Sequence, residues 1–122
     1  MAQKYAKKAS AATMSPTTAD IAWAAGFIEG EGTFVPLRVT LRNGEKRTYA
    51  RVLAYQNNIE PLQRLQAMFG CVIRRFERKH GTETAGTWCA NGARARGVIY
   101  TLFTFLSAKR RLQARMSLEG AY

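Results

Sequence analysis

The chain has 122 residues, and 47% of them are hydrophobic, which is enough for one domain with a packed core. Lys and Arg number 19 against 8 Asp and Glu, so the formal charge is +11 at pH 7. This imbalance excludes an ordinary neutral surface and indicates a polyanionic partner, with nucleic acid first and an anionic membrane second.

Other whole-chain features narrow the class of protein. The longest strongly apolar stretch, residues 98–106, is too short to cross a bilayer, and the first residues form no apolar signal segment. The two cysteines are too few for a disulfide framework or a zinc site. We therefore expect a soluble intracellular protein without a membrane partner.

The N-terminal stretch carries Lys4, Lys7 and Lys8 among alanines, serines and threonines, with almost nothing to bury. This composition predicts a flexible basic arm over residues 1–19, followed by a single domain over residues 20–122.

The first predicted element is a helix. Thr17 and Asp20 have the spacing of a capping box before an apolar run, and the turn at residues 30–32 ends the helix. Small residues at Ala22, Gly26 and Gly30 recur every four positions and share one face. Such a smooth stripe allows another helix backbone to approach closely.

A hairpin follows, with strands over residues 33–42 and 47–56 and a turn at Asn43-Gly44. Alternation in each strand predicts one apolar face and one cationic face. The predicted apolar side holds Val35, Leu37, Val39, Leu41, Ala50, Val52 and Ala54. The opposite side holds Arg38, Thr40, Arg42, Arg47, Tyr49 and Arg51. Pro36 cannot donate to a ladder, so we expect an edge position or a bulge there.

The second half repeats the pattern. Asn57 and Asn58 predict the start of a short helix that Gly70 ends, with strands over residues 71–78 and 84–90 after it. Helices over residues 93–106 and 109–118 close the chain, the last with Leu112, Met116 and Leu118 inward. The order αββαββα predicts an α+β fold in which helices back a four-stranded antiparallel, saddle-shaped sheet.

The open face of such a sheet would be basic. Strands can lie in the major groove of double-stranded DNA, where Arg side chains suit guanine edges and phosphates. The alternative is a solvated sheet face with arginines that serve only solubility. The candidate DNA-binding residues are Arg38, Thr40, Arg42, Arg47, Tyr49, Arg51, Arg74, Arg75, Arg78 and Lys79.

Glu29 and Glu31 lie in a stretch, residues 16–37, that contains no Lys or Arg. A carboxylate at a helix C-terminus faces the negative end of the helix dipole, so a divalent cation would offset the repulsion. A metal ion beside a DNA phosphate indicates phosphodiester hydrolysis. The alternative is an ordinary glycine-rich turn.

The segment Ala24-Ala25-Gly26-Phe27-Ile28-Glu29-Gly30-Glu31-Gly32 resembles the LAGLIDADG signature of homing endonucleases, with Ala where Leu is usual and Glu at both acid positions. The similarity extends through Tyr55-Gln56-Asn57 and Trp88 to the segment from Leu106 to Ala114. It covers residues 20–118.

The resemblance implies roles for individual residues. Glu31 would be the metal ligand, with the Gly30 carbonyl beside it and Mg²⁺ (or Mn²⁺) as the cofactor, and Glu29 would be structural. Gln56 would help to order water, and a basic residue at the start of the last helix would complete the catalytic set. That residue is Lys109 or Arg110, depending on how the segment is counted.

A single signature also resembles the homodimeric members of the family. The dimer interface would hold Ala22, Ala25, Gly26, Glu29 and Gly30. The implied function is a site-specific double-strand break in a long pseudo-palindromic DNA site, with no small-molecule substrate. The alternatives are an inactive LAGLIDADG-like DNA- or RNA-binding protein (a transcription regulator or an intron maturase) and a generic basic RNA-binding protein.

Overall fold

The structure is a computed structural model that describes residues 9–77 and 84–120. Its four helices are α1 (Thr18–Glu31), α2 (Glu60–Phe69), α3 (Ala93–Leu102) and α4 (Ala108–Glu119), with a 3-10 turn at Phe103–Phe105. Its four strands are β1 (Gly32–Thr40), β2 (Lys46–Gln56), β3 (Val72–Glu77) and β4 (Thr84–Asn91). Among the described residues, no helix combines the length and the apolar character that crossing a membrane requires.

The strands form one antiparallel sheet in the order β1-β2-β4-β3. Each hairpin therefore contributes an edge strand and an inner strand. The α+β class and the four-stranded antiparallel sheet backed by helices confirm the predicted fold, and two helices follow β4, as predicted.

The helices cover one face of the sheet, and the core lies between them. Phe34 and Val52 are paired neighbours on that face, and both are fully buried. Trp88 is also fully buried, and its indole N–H donates to the Gly70 carbonyl at 3.0 Å. Trp88 therefore packs in the core.

The capping box predicted at the start of α1 is present. Asp20 N–H donates to Thr17 Oγ1 at 3.1 Å, and Thr17 N–H donates to Asp20 Oδ2 at 2.9 Å. These bonds satisfy backbone donors that the first helical turn leaves without partners. The carboxylate therefore fixes the register at which α1 begins.

The faces predicted for β1 were wrong. Val35, Leu37 and Val39 pair across the ladder with Arg51, Tyr49 and Arg47, so these apolar residues lie on the open face. Pro36 causes no bulge, because the register with β2 is unbroken from Gly32 to Thr40. β1 is an edge strand, where a residue without an N–H is tolerated.

Two predictions for the last helices were wrong: the residue at which α3 ends and the face of α4 that is buried. α3 ends at Leu102, where the 3-10 turn begins, and not at residue 106. Leu112 was predicted to point inward, but 57% of it is exposed. The buried positions of α4 are the small residues Ala114 and Ser117, which let the helix lie close to the sheet.

Part of the predicted arm has defined contacts. Ser10 exchanges backbone hydrogen bonds with Cys71 at 2.9 and 3.1 Å, and Thr13 N–H donates to Ala67 O at 2.9 Å. Arg94 Nη1 donates to the Ser10 carbonyl at 2.8 Å. Residues 10–13 are thus fastened to the domain, whereas the arm's three lysines lie outside the described residues.

Candidate nucleic-acid interface and metal site

The open face of the sheet carries the cationic residues that the alternation of β2 predicted. Arg47, Tyr49 and Arg51 share this face, since Ala50, Val52 and Ala54 between and beyond them are buried on the other side. Arg74 of β3 lies on the same face. It pairs with Thr87 of β4, and Thr87 pairs in turn with Tyr55 of β2, which has the parity of Arg51. Within the described strands, no acidic side chain shares this face.

A shallow groove of about 310 Å³ runs over the central part of this face. Its lining combines guanidinium groups, apolar side chains and short polar groups: Arg51, Leu53, Val72, Arg74, Phe76, Thr87, Cys89 and Asn91. Such a mixture suits base edges, which present hydrogen-bonding groups beside the thymine methyl. We call this surface the sheet groove.

Several candidate DNA-binding residues lie elsewhere. Arg38 and Thr40 have the parity of buried Phe34, so they lie on the helix side of β1, and Arg38 Nη2 is 3.4 Å from Gly120 O. Arg42 belongs to the hairpin turn. Arg75 follows Arg74 and therefore lies on the opposite side of β3. Arg78 and Lys79 lie outside the described residues.

Glu31 ends α1 and is exposed. None of the described residues makes a hydrogen bond or an ion pair with its carboxylate. Its neighbour along the chain, Gly32, pairs with Ala54 of β2. The carboxylate is therefore without a bonded partner among the described residues, at the end of the sheet where β1 begins and β2 ends.

Glu29 is held by the N-terminus of α4. Its Oε1 accepts from Ser107 N–H and its Oε2 accepts from the Ser107 hydroxyl, both at 2.8 Å. These bonds, the backbone one first, and the nearby charges of Arg110 and Lys109 lower the pKa of Glu29 below its ordinary 4.5, against a smaller opposing effect of burial. This fits the structural role that the resemblance implied for Glu29.

Arg110 and Lys109 differ in their partners, although they are adjacent. Arg110 Nε donates to the Glu29 carbonyl at 3.0 Å, and its Nη1 donates to Gln113 Oε1 at 2.8 Å. The Lys109 side chain is exposed and donates to no described residue. Arg110 therefore caps the C-terminus of α1, and Lys109 remains available at the same end of the domain.

Gln56 is the last residue of β2, at the end of the sheet where α1 ends. It has the parity of buried Val52 and Ala54, so its side chain leaves the sheet on the helix side. Its Oε1 accepts from Asn57 N–H at 3.0 Å, which leaves the amide NH₂ as the available donor.

The small residues of α1 fall on two faces. Ala22, Gly26 and Gly30 are exposed, and a Cβ added at either glycine would meet nothing within 4 Å. Ala25, which was predicted in the dimer interface, is 1% exposed and belongs to the core. Of the five residues predicted in the dimer interface, Ala25 is therefore the one that lies in the core.

Two residues with specific contacts were missed. Ser107 is the N-cap of α4, and a Ser before a predicted helix is a signal that could have found it. Asn91 lies on the open face and accepts from Arg51 Nε at 2.7 Å. Its parity with Thr87 and Cys89 in β4 could have indicated that face.

Several solved structures are similar to this one. The homing endonuclease I-CvuI, in complex with its target in the presence of Ca, is 22% identical and has a TM-score of 0.66 over 84% of this chain and 68% of its own. The homing endonuclease I-TnaI is 18% identical, with a TM-score of 0.58 over 85% of this chain and 70% of its own.

A third similar structure is the LAGLIDADG meganuclease I-CpaMI bound to uncleaved DNA. It is 17% identical, with a TM-score of 0.58 over 80% of this chain and 34% of its own. No family profile and no curated protein matches the sequence. The chain thus has the fold of the LAGLIDADG homing endonucleases, as the resemblance implied.

Proposed function

We propose that this protein is a site-specific DNA endonuclease of the homing type, which cuts both strands of a long pseudo-palindromic site as a homodimer. The single observation that carries the proposal is the exposed Glu31 carboxylate, free of partners among the described residues, at one end of a sheet whose open face is cationic. A free acid beside a surface that attracts phosphates is the arrangement that metal-dependent hydrolysis needs.

The donors near Glu31 fit a divalent cation in part. No cluster of three acidic, cysteine or histidine side chains occurs in the part of the chain that the structure describes. Mg²⁺ does not require such a cluster, because it takes one or two carboxylates and fills its other positions with water and phosphate oxygens. Glu31 and the Gly30 carbonyl would hold the cation, with DNA and a second copy of the chain supplying further ligands.

When bound, the cation would polarise the scissile phosphate and lower the pKa of a bound water. The chain itself would orient the reactants. The Lys109 ammonium has no bonded partner among the described residues and would stabilise negative charge on the phosphate. The Gln56 amide would hold a water by its NH₂ group. Arg110, which is bonded to Glu29 and Gln113, would act as a positioning residue.

Dimerisation would follow from the exposed stripe of α1. Ala22, Gly26 and Gly30 present no bulky side chain, so two α1 helices could pack with their backbones close together. A two-fold axis between them would bring two copies of Glu31 near each other. A strand of about ten residues spans roughly 30 Å, or about nine base pairs, and the whole site would be about twice that length.

The structural likeness to I-CvuI supports the proposal, since that enzyme was solved in complex with its target in the presence of Ca. In this chain Glu31 and Gln56 lie at the same end of the sheet, and α1 leaves the small-residue stripe exposed. These observations agree with a nuclease and with a two-fold assembly.

The test begins with a search for cut sites. The protein is incubated with a library of randomised duplexes and Mg²⁺, and the cleaved ends are sequenced. Glu31→Gln is then compared with the parent on the recovered site. We expect cutting to fall by at least about 10³-fold while binding in Ca²⁺ changes by less than about 1 kcal/mol, because the substitution removes the metal ligand and also a negative charge near DNA.

The matched control is Glu119→Gln, the same chemical change at an exposed carboxylate at the far end of α4. It should cut like the parent. Equal cutting by Glu31→Gln would remove Glu31 from the reaction. Tight binding of duplex DNA without any cleavage would instead support the DNA-binding regulator.

A further inference from the structure

Arg51 is held at two points, which distinguishes it from the other cations of the open face. Its backbone N–H donates to the hydroxyl of buried Ser117 at 3.3 Å, and that hydroxyl donates to the Val35 carbonyl at 2.6 Å. Its side-chain Nε donates to Asn91 Oδ1 at 2.7 Å. The Arg51 backbone and the Nε atom of its side chain are therefore both held by hydrogen bonds.

The contact with Asn91 leaves the outer edge of the guanidinium available. Arg51 Nη1 and Nη2 have no partner among the described residues, and the Arg51 residue lines the sheet groove. Two parallel N–H donors match the O6 and N7 acceptors of guanine in the major groove. Because one rotamer is already held, less conformational entropy is lost on contact than from a free side chain.

The other arginines on this face are arranged differently. Arg47 lies 3.4 Å from the Glu45 carboxylate, so its charge is partly offset at the exposed hairpin end. Arg74 lines the sheet groove and has no bonded partner among the described residues. Arg47 and Arg74 are therefore suited to phosphates, which accept from many directions.

We propose that Arg51 reads one guanine in each half of the DNA site, and that Asn91 is the positioning residue that makes this contact selective. This inference rests on the proposed function, since it assumes that the sheet groove faces DNA. It adds a feature of the substrate: a G·C pair at a fixed position, repeated with inverted symmetry in the other half.

The position of that guanine follows from the register. Glu31 lies beside the end of β2 at Gln56, and Arg51 is five residues back along the strand. At about 3.3 Å per residue and about 3.4 Å per base pair, Arg51 lies about five base pairs from the cleavage end. We therefore expect the guanine about four to six base pairs outside the cut.

The experiment measures binding to the recovered site and to variants with each base changed, in Ca²⁺. The protein variants are Arg51→Lys and, as the matched control, Arg74→Lys in the same groove. Arg51→Lys keeps the positive charge and removes the two parallel N–H donors of the guanidinium. We expect the parent to prefer guanine at one position by about 5- to 150-fold and Arg51→Lys to lose most of that preference, whereas Arg74→Lys keeps it.

Asn91 is tested with Asn91→Ala and Asn91→Asp. The first removes the acceptor for Arg51 Nε, so the guanine preference should fall at the same position as in Arg51→Lys while affinity for unrelated DNA stays within about 2-fold. The second retains an acceptor and should keep the preference at lower overall affinity, because it adds a negative charge.

Three results would overturn the inference: no guanine preference four to six base pairs outside the cut, an unchanged preference in Arg51→Lys, or an Asn91→Ala effect confined to a different base pair. All three require that the parent binds duplex DNA. Failure of the parent to bind would contradict the proposed function itself, so the two failures are distinguishable.

Discussion

Glu29 and Glu31 are two residues apart on α1, but their surroundings differ. Glu29 lies at the C-terminus of its own helix, where its charge is unfavourable, and at the N-terminus of α4, where it is favourable. The second effect is reinforced by two short hydrogen bonds. Glu31 has no such compensation among the described residues, which is why we assign the cation to it.

Glu29 should contribute to the dependence of stability on pH. Its pKa is lowered in the folded state, so its contribution is complete above the unfolded value near 4.5 and is lost as the pH falls through the folded value. We expect Glu29→Gln to lower the free energy of unfolding by about 1 kcal/mol at pH 7. The deficit relative to the parent should shrink below about pH 4.5 and then vanish.

Urea unfolding of both proteins between pH 7 and pH 3 measures this. Asp20, whose pKa is also lowered, is present in both proteins and cancels in the difference. A deficit that stays constant down to pH 3 would contradict the linkage to Glu29 ionisation.

The sequence pattern indicated that Glu29 and Glu31 form a pair, but the pattern alone did not show which of the two has a structural partner. Two acids between glycines, remote from any base in the chain, were visible in the sequence. The partner of Glu29 is Ser107, which is 78 residues away, and only the packing of α4 against α1 brings the two together. The same packing distinguishes Arg110 from Lys109, which counting along the chain left ambiguous.

Among the elements, the hairpins were predictable and the faces of β1 were not. Both faces of β1 carry apolar residues, so alternation alone favoured the longer run of Val and Leu as the core side. The side that is buried is fixed by Phe34, which pairs with Val52 under the helices. The helices cover only part of the strand, and Arg38 is exposed on the helix side.

The face of α4 was mispredicted for a related reason. Large apolar residues usually mark the buried stripe, and Leu112 was taken as part of it. The helix lies so close to β1 that small side chains fill the contact, at Ala114 and Ser117. Ala114 and Ser117 follow Arg110 at helical spacing, so these three residues lie on one face of α4. None of them is a large apolar residue that would have marked this face as the buried one.

Ser117 should be a sensitive position for stability. Its hydroxyl bridges the backbones of β1 and β2 at Val35 and Arg51, and it is fully buried. Ser117→Ala leaves those groups without this partner, so we expect a loss of about 1–2 kcal/mol in the free energy of unfolding. Thr101→Ala removes an exposed hydroxyl that donates to Gly97 O within α3 and should cost less than about 0.5 kcal/mol.

Both losses in the free energy of unfolding are obtained from denaturant unfolding, as shifts of the midpoint at an unchanged dependence on denaturant concentration. Equal losses in the two variants would show that Ser117 does not join α4 to the sheet.

For the whole molecule, the property to be measured is the oligomeric state. The exposed stripe of α1 allows a substitution that should change this state without disturbing the fold. Gly26 has open space around it, so Gly26→Leu adds a side chain that the single domain accepts. Helix propensity even favours Leu over Gly by up to about 1 kcal/mol. We expect this variant to fold, to sediment as a monomer where the parent is a dimer, and to lose double-strand cleavage.

Gly97→Leu is the matched control, since Gly97 is also a helical glycine with nothing within 4 Å of an added Cβ. It should remain a dimer. A dimer that persists in Gly26→Leu and dissociates in Gly97→Leu would assign the interface to α3.

The sheet has two edge strands, β1 and β3, and the backbone at each edge has a feature that hinders pairing with a strand from another molecule. On β1, Pro36 removes a backbone donor, and beside β3 the chain's own Ser10 already occupies the backbone groups of Cys71. Unprotected edges are templates for fibril growth, so these two features discourage the addition of further strands to the sheet. Under the proposed function the open face would have to stay uncovered until DNA binds, and the two altered edges would limit the addition of other strands until then.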